Sequence, residues 1–120
     1  FTQIDYAREM AFIAVENAGS TAEEILGVVH AQRDPDNTEA EFAIAVRSDN
    51  KYLGLGYRLM QKMIDYCRDQ DTLTLTGVTM LENGGMANLA RKLGFTVKYL
   101  RDDGVIDMHM DLQAAPVPQE

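Results

Sequence analysis

A short glycine-containing segment, residues 51–56, is the feature that most constrains how this chain can fold. It follows a strand-like apolar run. It precedes a segment in which apolar residues recur at three- and four-residue steps, the spacing of one buried face of a helix. This periodicity predicts a helix from Gly54 to Asp69. A strand that leads through a glycine turn into an amphipathic helix indicates a mixed α/β fold.

The same segment is a candidate phosphate-binding loop. Backbone amides at a helix N-terminus have no partner within the helix, and the helix dipole adds partial positive charge there. Gly54 and Gly56 keep this space free of Cβ atoms, and Arg58 and Lys62 could add positive charge. Glycines also precede helices in ordinary strand-to-helix turns, so these residues alone leave both interpretations open.

The composition indicates one soluble domain. The chain has 120 residues, of which 46% are hydrophobic, enough for one core but too few residues for two domains. A single cysteine excludes a disulfide framework and favours a reducing, cytoplasmic location, and His and Cys lack metal-ligand spacing. We expect no membrane-spanning segment and no signal peptide. The net charge of −8 argues against nucleic acid and suits a basic partner better.

Alternating apolar residues and turn residues predict the remaining elements. The order is β-β-β-α-β-α-β-β, with a second helix at residues 85–93 that ends at Gly94, and Gly77 is expected to mark a bulge. The fold is therefore predicted to be α/β (α+β), with helices packed on a largely antiparallel sheet. The predicted strands are residues 11–17, 24–33, 41–47, 73–79, 95–100 and 105–112.

The two ends of the chain carry separate predictions. The chain begins at Phe1, and its first ten residues resemble the interior of a protein, so we expect it to be part of a longer polypeptide. The domain is predicted to occupy residues 1–112. Residues 113–120, which include Pro116 and Pro118, are predicted to form a flexible tail.

Two motifs resemble those of the GNAT superfamily of acyl-CoA-dependent N-acetyltransferases. Residues 51–56 resemble its Arg/Gln-x-x-Gly-x-Gly/Ala loop, with Lys51 where Arg or Gln is usual, and residues 82–95 resemble its helix from Asn to Leu-Gly-Phe. Residues 2–11, 41–47 and 85–95 are similar to the C-terminal domain of bacterial Pat-type protein lysine acetyltransferases. The resemblance implies a GNAT-like fold that lacks the family's N-terminal strand and helices.

The resemblance also implies where acetyl-CoA, the co-substrate, would bind. In the family, acyl-CoA lies in a wedge between two diverging strands, here residues 41–47 and 73–79. Backbone groups of the first strand hold the pantetheine arm, the glycine loop holds the pyrophosphate, and an asparagine lies near the arm. The corresponding positions are Ile44, Ala45, Val46, Lys51, Tyr52, Leu53, Gly54, Leu55, Gly56 and Asn83.

Glu41 is the predicted general base. A lysine amine is neutral in only about one part in 10³ at pH 7, so a base that takes up its proton assists its attack on the thioester. Similar enzymes often carry a glutamate at this position, which we expect to be buried in the wedge, and Glu39 is the alternative on the same strand face. Two residues depart from the family pattern: Ala90 replaces a tyrosine that acts as general acid, and Tyr52 replaces a glycine.

The resemblance predicts an N-acetyltransferase that moves acetyl from acetyl-CoA to a lysine of a partner protein. Acetylation of a small amine is the nearest alternative. A third hypothesis is a module that binds acyl-CoA without catalysis and regulates an attached domain.

Overall fold

The computed structural model describes residues 1–5, 7–47 and 54–113, which form one mixed sheet and two helices. The helices are α1 (Leu55–Asp69) and α2 (Gly84–Leu93). The sheet order is β1-β2-β3-β4-β5-β7-β6, with every pair antiparallel except β4 and β5, which are parallel. The strands are β1 (Thr2–Asp5), β2 (Glu9–Glu16), β3 (Glu24–Arg33), β4 (Glu39–Val46), β5 (Thr74–Met80), β6 (Thr96–Leu100) and β7 (Val105–Asp111). The predicted α/β fold with a largely antiparallel sheet is confirmed.

Two details differ from the sequence-based predictions. The short edge strand β1, which pairs with the middle of β2, was not predicted, because four residues are too few for a clear alternating pattern. The bulge expected at Gly77 is wrong, since Gly77 pairs without interruption with Met108 of β7. The irregularity in the sheet lies between β2 and β3, where Leu26 is the extra residue next to Ala14 and Val15.

The core lies between the two helices and one face of the sheet. Strand residues on that face alternate with more exposed ones, as the buried Met10, Phe12 and Ala14 of β2 illustrate. Helix α1 packs on β2, β3 and β4, and α2 packs on β6 and β7. The described residues place no helix on the opposite face, which carries Glu41 and His109 among its exposed side chains. Among the described residues, no helix is long and apolar enough to cross a membrane.

Side-chain hydrogen bonds connect the turn between β3 and β4 to the end of α1. The Asn37 side chain donates to the carbonyl of Gln70 at 2.7 Å and accepts from the hydroxyl of the buried Thr72, also at 2.7 Å. The Gln113 amide donates to the carbonyl of Thr72 at 3.0 Å. Since buried polar groups are costly when unpaired, these bonds hold the start of β4 against the end of the helix. Residues 114–120, most of the predicted tail, lie outside the described residues.

Cys67 lies in the core, as its place on the apolar face of α1 predicts. Burial raises the pKa of the thiol from 9.0 to about 11, with a smaller opposing effect from Arg33. Because the folded pKa is the higher one, this group costs native stability as the pH rises from 9 towards about 11. At pH 8 we expect iodoacetamide to label the native protein about 100-fold more slowly than the denatured chain. Mass spectrometry measures the labelling. Equal rates for the native protein and the denatured chain would contradict burial of the thiol.

Candidate functional site

Strands β4 and β5 pair for only four residues and then diverge. Their parallel register runs from Glu39 beside Thr74 to Phe42 beside Gly77. Beyond that pair, β4 continues along β3 as far as Val46, while β5 continues along β7. A gap therefore opens between the carboxyl ends of two neighbouring parallel strands, as the predicted wedge requires.

The alternation of β4 decides which backbone groups face this gap. The amide of Arg47 donates to the carbonyl of Leu26 in β3 at 2.9 Å. Hydrogen-bonded and non-hydrogen-bonded positions alternate in an antiparallel pair, so Ala45 also directs its N–H and C=O towards β3. Ile44 and Val46 direct theirs towards the gap. Of the three predicted strand residues, these two direct to the gap backbone groups that the described strands leave unpaired.

Gly54 is the N-cap residue of helix α1, whose first turn lies beside Val46 at the mouth of the gap. Its φ of 79° is in the left-handed region, where a side chain is strained, and its carbonyl accepts from the amide of Arg58 at 3.0 Å. No hydrogen bond from a described side chain caps this helix, so the amides of Leu55 and Gly56 remain available to an anion. A Cβ at Gly54 would contact nothing within 4 Å, whereas one at Gly56 would lie 3.3 Å from the Leu89 side chain.

The other predicted residues of the loop and of the first helical turns have different outcomes. Lys51, Tyr52 and Leu53 lie outside the described residues. The two cations of α1 that were expected to add charge instead lie over the ring of Phe1, Arg58 at 5.4 Å and Lys62 at 4.7 Å from its centroid. Cation–π contact with this ring places both cations towards the N-terminal strands of the sheet. The helix N-terminus supplies the positive potential among the described groups of the loop.

Asn83 lies where β5 leads into α2, and its side chain has a structural role. Its Oδ1 accepts from the amide of Met86 at 3.1 Å, which caps the helix, and its Nδ2 donates to the Thr79 hydroxyl, also at 3.1 Å. The motif Asn-Gly-Gly-Met carries this capping signal in the sequence. Asn83 is exposed and lies three residues beyond the end of β5, the strand that forms one side of the gap.

Glu41 lies one residue before the last paired position of β4, at the apex of the divergence. It is beside Gln32 of β3 and Thr76 of β5, on the sheet face opposite the helices. The burial expected for this carboxylate is wrong for the described chain, since the Glu41 side chain is exposed. Glu39 lies farther from the apex, and its Oε1 accepts from the Thr76 hydroxyl at 3.2 Å.

A groove of about 440 Å³ adjoins Glu41 on the same side of the sheet. Its lining includes Glu39 and Glu41 of β4, Gln32 of β3 and Arg8, which directly precedes β2. The groove and the gap thus meet at Glu41. A proton acceptor at this point could serve a group that enters by the groove and reacts with one held in the gap.

The sequence did not reveal how closely the strands approach at the apex. Only glycine fits at position 77, because a Cβ there would lie 2.5 Å from Cε1 and 2.9 Å from Cδ1 of Phe42. The ring of Phe42 also packs on Phe95, with centroids 5.4 Å apart. The signal in the sequence was a glycine inside a β-rich run, which can indicate either a bulge or a close contact.

A metal centre is not among the arrangements that the described residues form. Residues 1–5, 7–47 and 54–113 contain no group of three His, Cys, Asp or Glu side chains that could hold an ion. His30 lies half-buried within β3, and His109 is exposed on β7.

Comparison with known proteins gives a family and a fold. The sequence model of the Acetyltransferase (GNAT) family matches residues 1–95. The GNAT domain of S. lividans PAT is 20% identical with a TM-score of 0.73, over 92% of this chain and 65% of its own length. A cAMP-binding acyltransferase from Mycobacterium smegmatis is 21% identical with a TM-score of 0.74, over 92% of this chain and 33% of its own.

A third similar structure was solved with a ligand. This is yncA from Salmonella typhimurium with its cofactor acetyl-CoA, which is 20% identical with a TM-score of 0.72, over 92% of this chain and 69% of its own length. At such identities the likeness shows a shared fold. The chain spans about two thirds of the length of the S. lividans domain and of yncA, and one third of the M. smegmatis protein.

Proposed function

The chain belongs to the GNAT family of acetyltransferases, whose co-substrate is acetyl-CoA, and from this premise we propose that the protein acetylates a lysine ε-amine on a partner protein. The observation that carries the proposal is the divergence of β4 from β5 with Glu41 at its apex. This arrangement gives a channel for the donor, a proton acceptor at its end and a groove for the acceptor beyond it.

The described residues around the gap support acetyl-CoA as the ligand of this site. Ile44 and Val46 offer free backbone groups to which the amides of a pantetheine arm can pair as an added strand. The first amides of α1, preceded by Gly54, offer uncapped donors to a pyrophosphate. In this proposal, Asn83 lies beside the arm at the end of β5, and Ala45 supports the ladder rather than the ligand.

In the proposed reaction, Glu41 is the general base. The neutral amine nitrogen bonds to the acetyl carbonyl carbon, and the developing oxyanion is stabilised by a β4 amide that faces the gap. The carbon–sulfur bond then breaks, so that the acetyl group passes to nitrogen and the CoA thiolate leaves. Glu41 takes the proton that the amine loses. Because a thiol has a pKa near 8.5, its thiolate can leave without the tyrosine that Ala90 replaces.

A protein lysine is preferred as the acceptor because three segments resemble Pat-type enzymes. Residues 2–11, 41–47 and 85–95 carry this similarity, and a PAT domain is among the proteins of the same fold. The open groove also suits a flexible lysine side chain that enters from outside. The proposal includes a longer polypeptide around this domain and a cytoplasmic location, in keeping with one buried, unpaired cysteine.

A small amine is the second candidate acceptor. The groove of about 440 Å³ could hold a small cation, and two carboxylates lie along one wall. A lysine peptide and a free polyamine therefore belong in the same assay. Binding of acetyl-CoA without transfer to either acceptor would favour the non-catalytic sensor instead.

Two glycine variants make this assay specific for the proposed donor site. Gly54 and Gly19 have nearly the same φ, 79° and 82°, and a Cβ at either residue contacts nothing within 4 Å. Gly54→Ala and Gly19→Ala therefore carry the same backbone strain, but Gly19 lies in the turn between β2 and β3. With limiting acetyl-CoA and a lysine peptide, we expect transfer by Gly54→Ala to fall about tenfold, equivalent to about 1.4 kcal/mol of binding.

The measurement is acetylated peptide by mass spectrometry, with acetyl-CoA affinity by calorimetry. Gly19→Ala should match the wild type in both. Absence of transfer by the wild type to any lysine peptide would overturn the proposed acceptor. Equal loss in the two variants would place the pyrophosphate elsewhere, since strain alone would then explain the effect.

A further inference from the structure

The groove beside Glu41 has walls of opposite charge. Glu39 and Glu41 lie on the β4 side, and Arg8, directly before β2, lies on the other. Gln32 of β3 lies between them and pairs with Glu41 on one side and with Glu9 on the other. Of Arg8 and Glu9, only Arg8 is among the described residues that line the groove. An acceptor that enters this groove meets a carboxylate wall that suits its ammonium or amine and a guanidinium wall that does not.

Most charges around the groove are already engaged. The Arg33 guanidinium donates to the carbonyl of Ala7 at 3.0 Å and to the Gln70 side chain at 3.4 Å. The Asp34 carboxylate accepts from the Thr38 hydroxyl at 2.6 Å, and this bond is the main cause of its lowered pKa.

Arg8 and Glu41 differ from these groups. In the described part of the chain, the guanidinium of Arg8 and the carboxylate of Glu41 make no hydrogen bond or ion pair to another residue. Arg8 contributes only its carbonyl, which accepts from the amide of Arg33 at 2.7 Å. Both side chains are exposed and line the same groove, so they are available to an acceptor.

From this arrangement we propose that Arg8 selects acceptor lysines that have an acidic residue nearby in sequence. This inference rests on the proposed lysine acetyltransferase function. Arg8 and Glu41 are two strands apart, roughly 10 Å at about 4.8 Å per strand. In an extended peptide, residues two apart lie about 7 Å from each other on one face. A lysine at Glu41 therefore brings an aspartate or glutamate two positions away within reach of Arg8.

The positive charge of Arg8 is expected to discriminate between acceptor peptides by the residue beside the lysine. A carboxylate beside the lysine pairs with Arg8, and the Arg8 guanidinium can hold it with two parallel hydrogen bonds. An arginine at the same place is repelled. Since the groove is open, salt should weaken both effects. The inference thus narrows the acceptor from a basic partner in general to a lysine with an acidic neighbour.

The test uses the full protein with three peptides that differ at one position. Each has a single lysine, with glutamate, alanine or arginine two residues away. For the wild type we expect the KM of the glutamate peptide to be about fivefold below that of the arginine peptide. Arg8→Ala should abolish the difference, and Arg8→Glu should reverse it. The effect should appear in KM rather than kcat and diminish in high salt.

Lys92→Glu is the matched control, because it makes the same charge change as Arg8→Glu at an exposed residue in the last turn of α2, which does not line the groove. It should keep the wild-type preference. Equal KM values for the three wild-type peptides, or a preference that Arg8→Glu leaves unreversed, would overturn the role of Arg8 while transfer itself upholds the lysine function. Absence of transfer to all three peptides would overturn both proposals. A reversal also seen in Lys92→Glu would assign the effect to net charge and overturn the inference.

Discussion

Replacement of Glu41 by glutamine is expected to lower acetyl transfer by about 10²- to 10⁴-fold and to leave acetyl-CoA binding intact, the range lost when a general base is removed. Glutamine keeps the size and hydrogen-bonding oxygen of the side chain but cannot accept the proton. Because Glu41 lies at the apex, beside the last β4–β5 pair, the change leaves the gap itself in place. Steady-state transfer to a lysine peptide and calorimetry with acetyl-CoA measure the two quantities.

The Glu39→Gln variant is the matched comparison. Glu39 lies on the same strand face, and its oxygen accepts from the Thr76 hydroxyl, a bond that glutamine can also accept. We expect it to lose less than about tenfold. The Glu41→Gln rate should also rise with pH, about tenfold per unit below the lysine pKa, because the amine must then lose its proton to water. If Glu39→Gln shows the larger loss, Glu39 is the base, and near-normal turnover in both variants excludes base catalysis from this strand face.

Most elements of the fold could be predicted from local sequence patterns. The amphipathic spacing from Leu55 to Cys67 gave α1 nearly to the residue, and Gly94, with a φ of 98°, ends α2 as expected. Apolar runs and turn residues located β2 to β7, because each of these strands contributes apolar side chains to the core. Strand β1 has too few residues to show a period, and only its pairing with β2 defines it. Pairing is a property of the sheet, so a four-residue segment does not reveal it.

The candidate site could likewise be predicted only in part from the sequence. The position of Glu41 on β4 followed from the motif and the strand phase, and the divergence at that point agrees with it. Which amides face the gap depends on the register with β3, so the sequence could not separate Ala45 from Ile44 and Val46. The exposure of Glu41 likewise depends on what covers a whole sheet face. Neither property is determined by residues near in sequence.

Gly77 is the position where the shape of the gap and the stability of the fold depend on one missing side chain. Gly77→Ala would place a methyl group against the Phe42 ring, which is buried and held by Phe95. Overpacking of this kind costs about 1–3 kcal/mol, so we expect the Tm to fall by about 4–15 °C. The ring or the last strand pair must move, and acetyl-CoA affinity should fall as well.

A second substitution distinguishes this contact from a general effect on the strand. Phe42→Leu removes ring atoms that the new methyl group would meet, so the double variant should be more stable than the sum of the two single changes predicts, by about 1 kcal/mol. Gly84→Ala is the control, because a Cβ there meets nothing within 4 Å. Thermal unfolding is measured for the wild type and all four variants. Strict additivity would mean that Gly77 is required for the β5 backbone itself, and the apex would then not be shaped by Phe42.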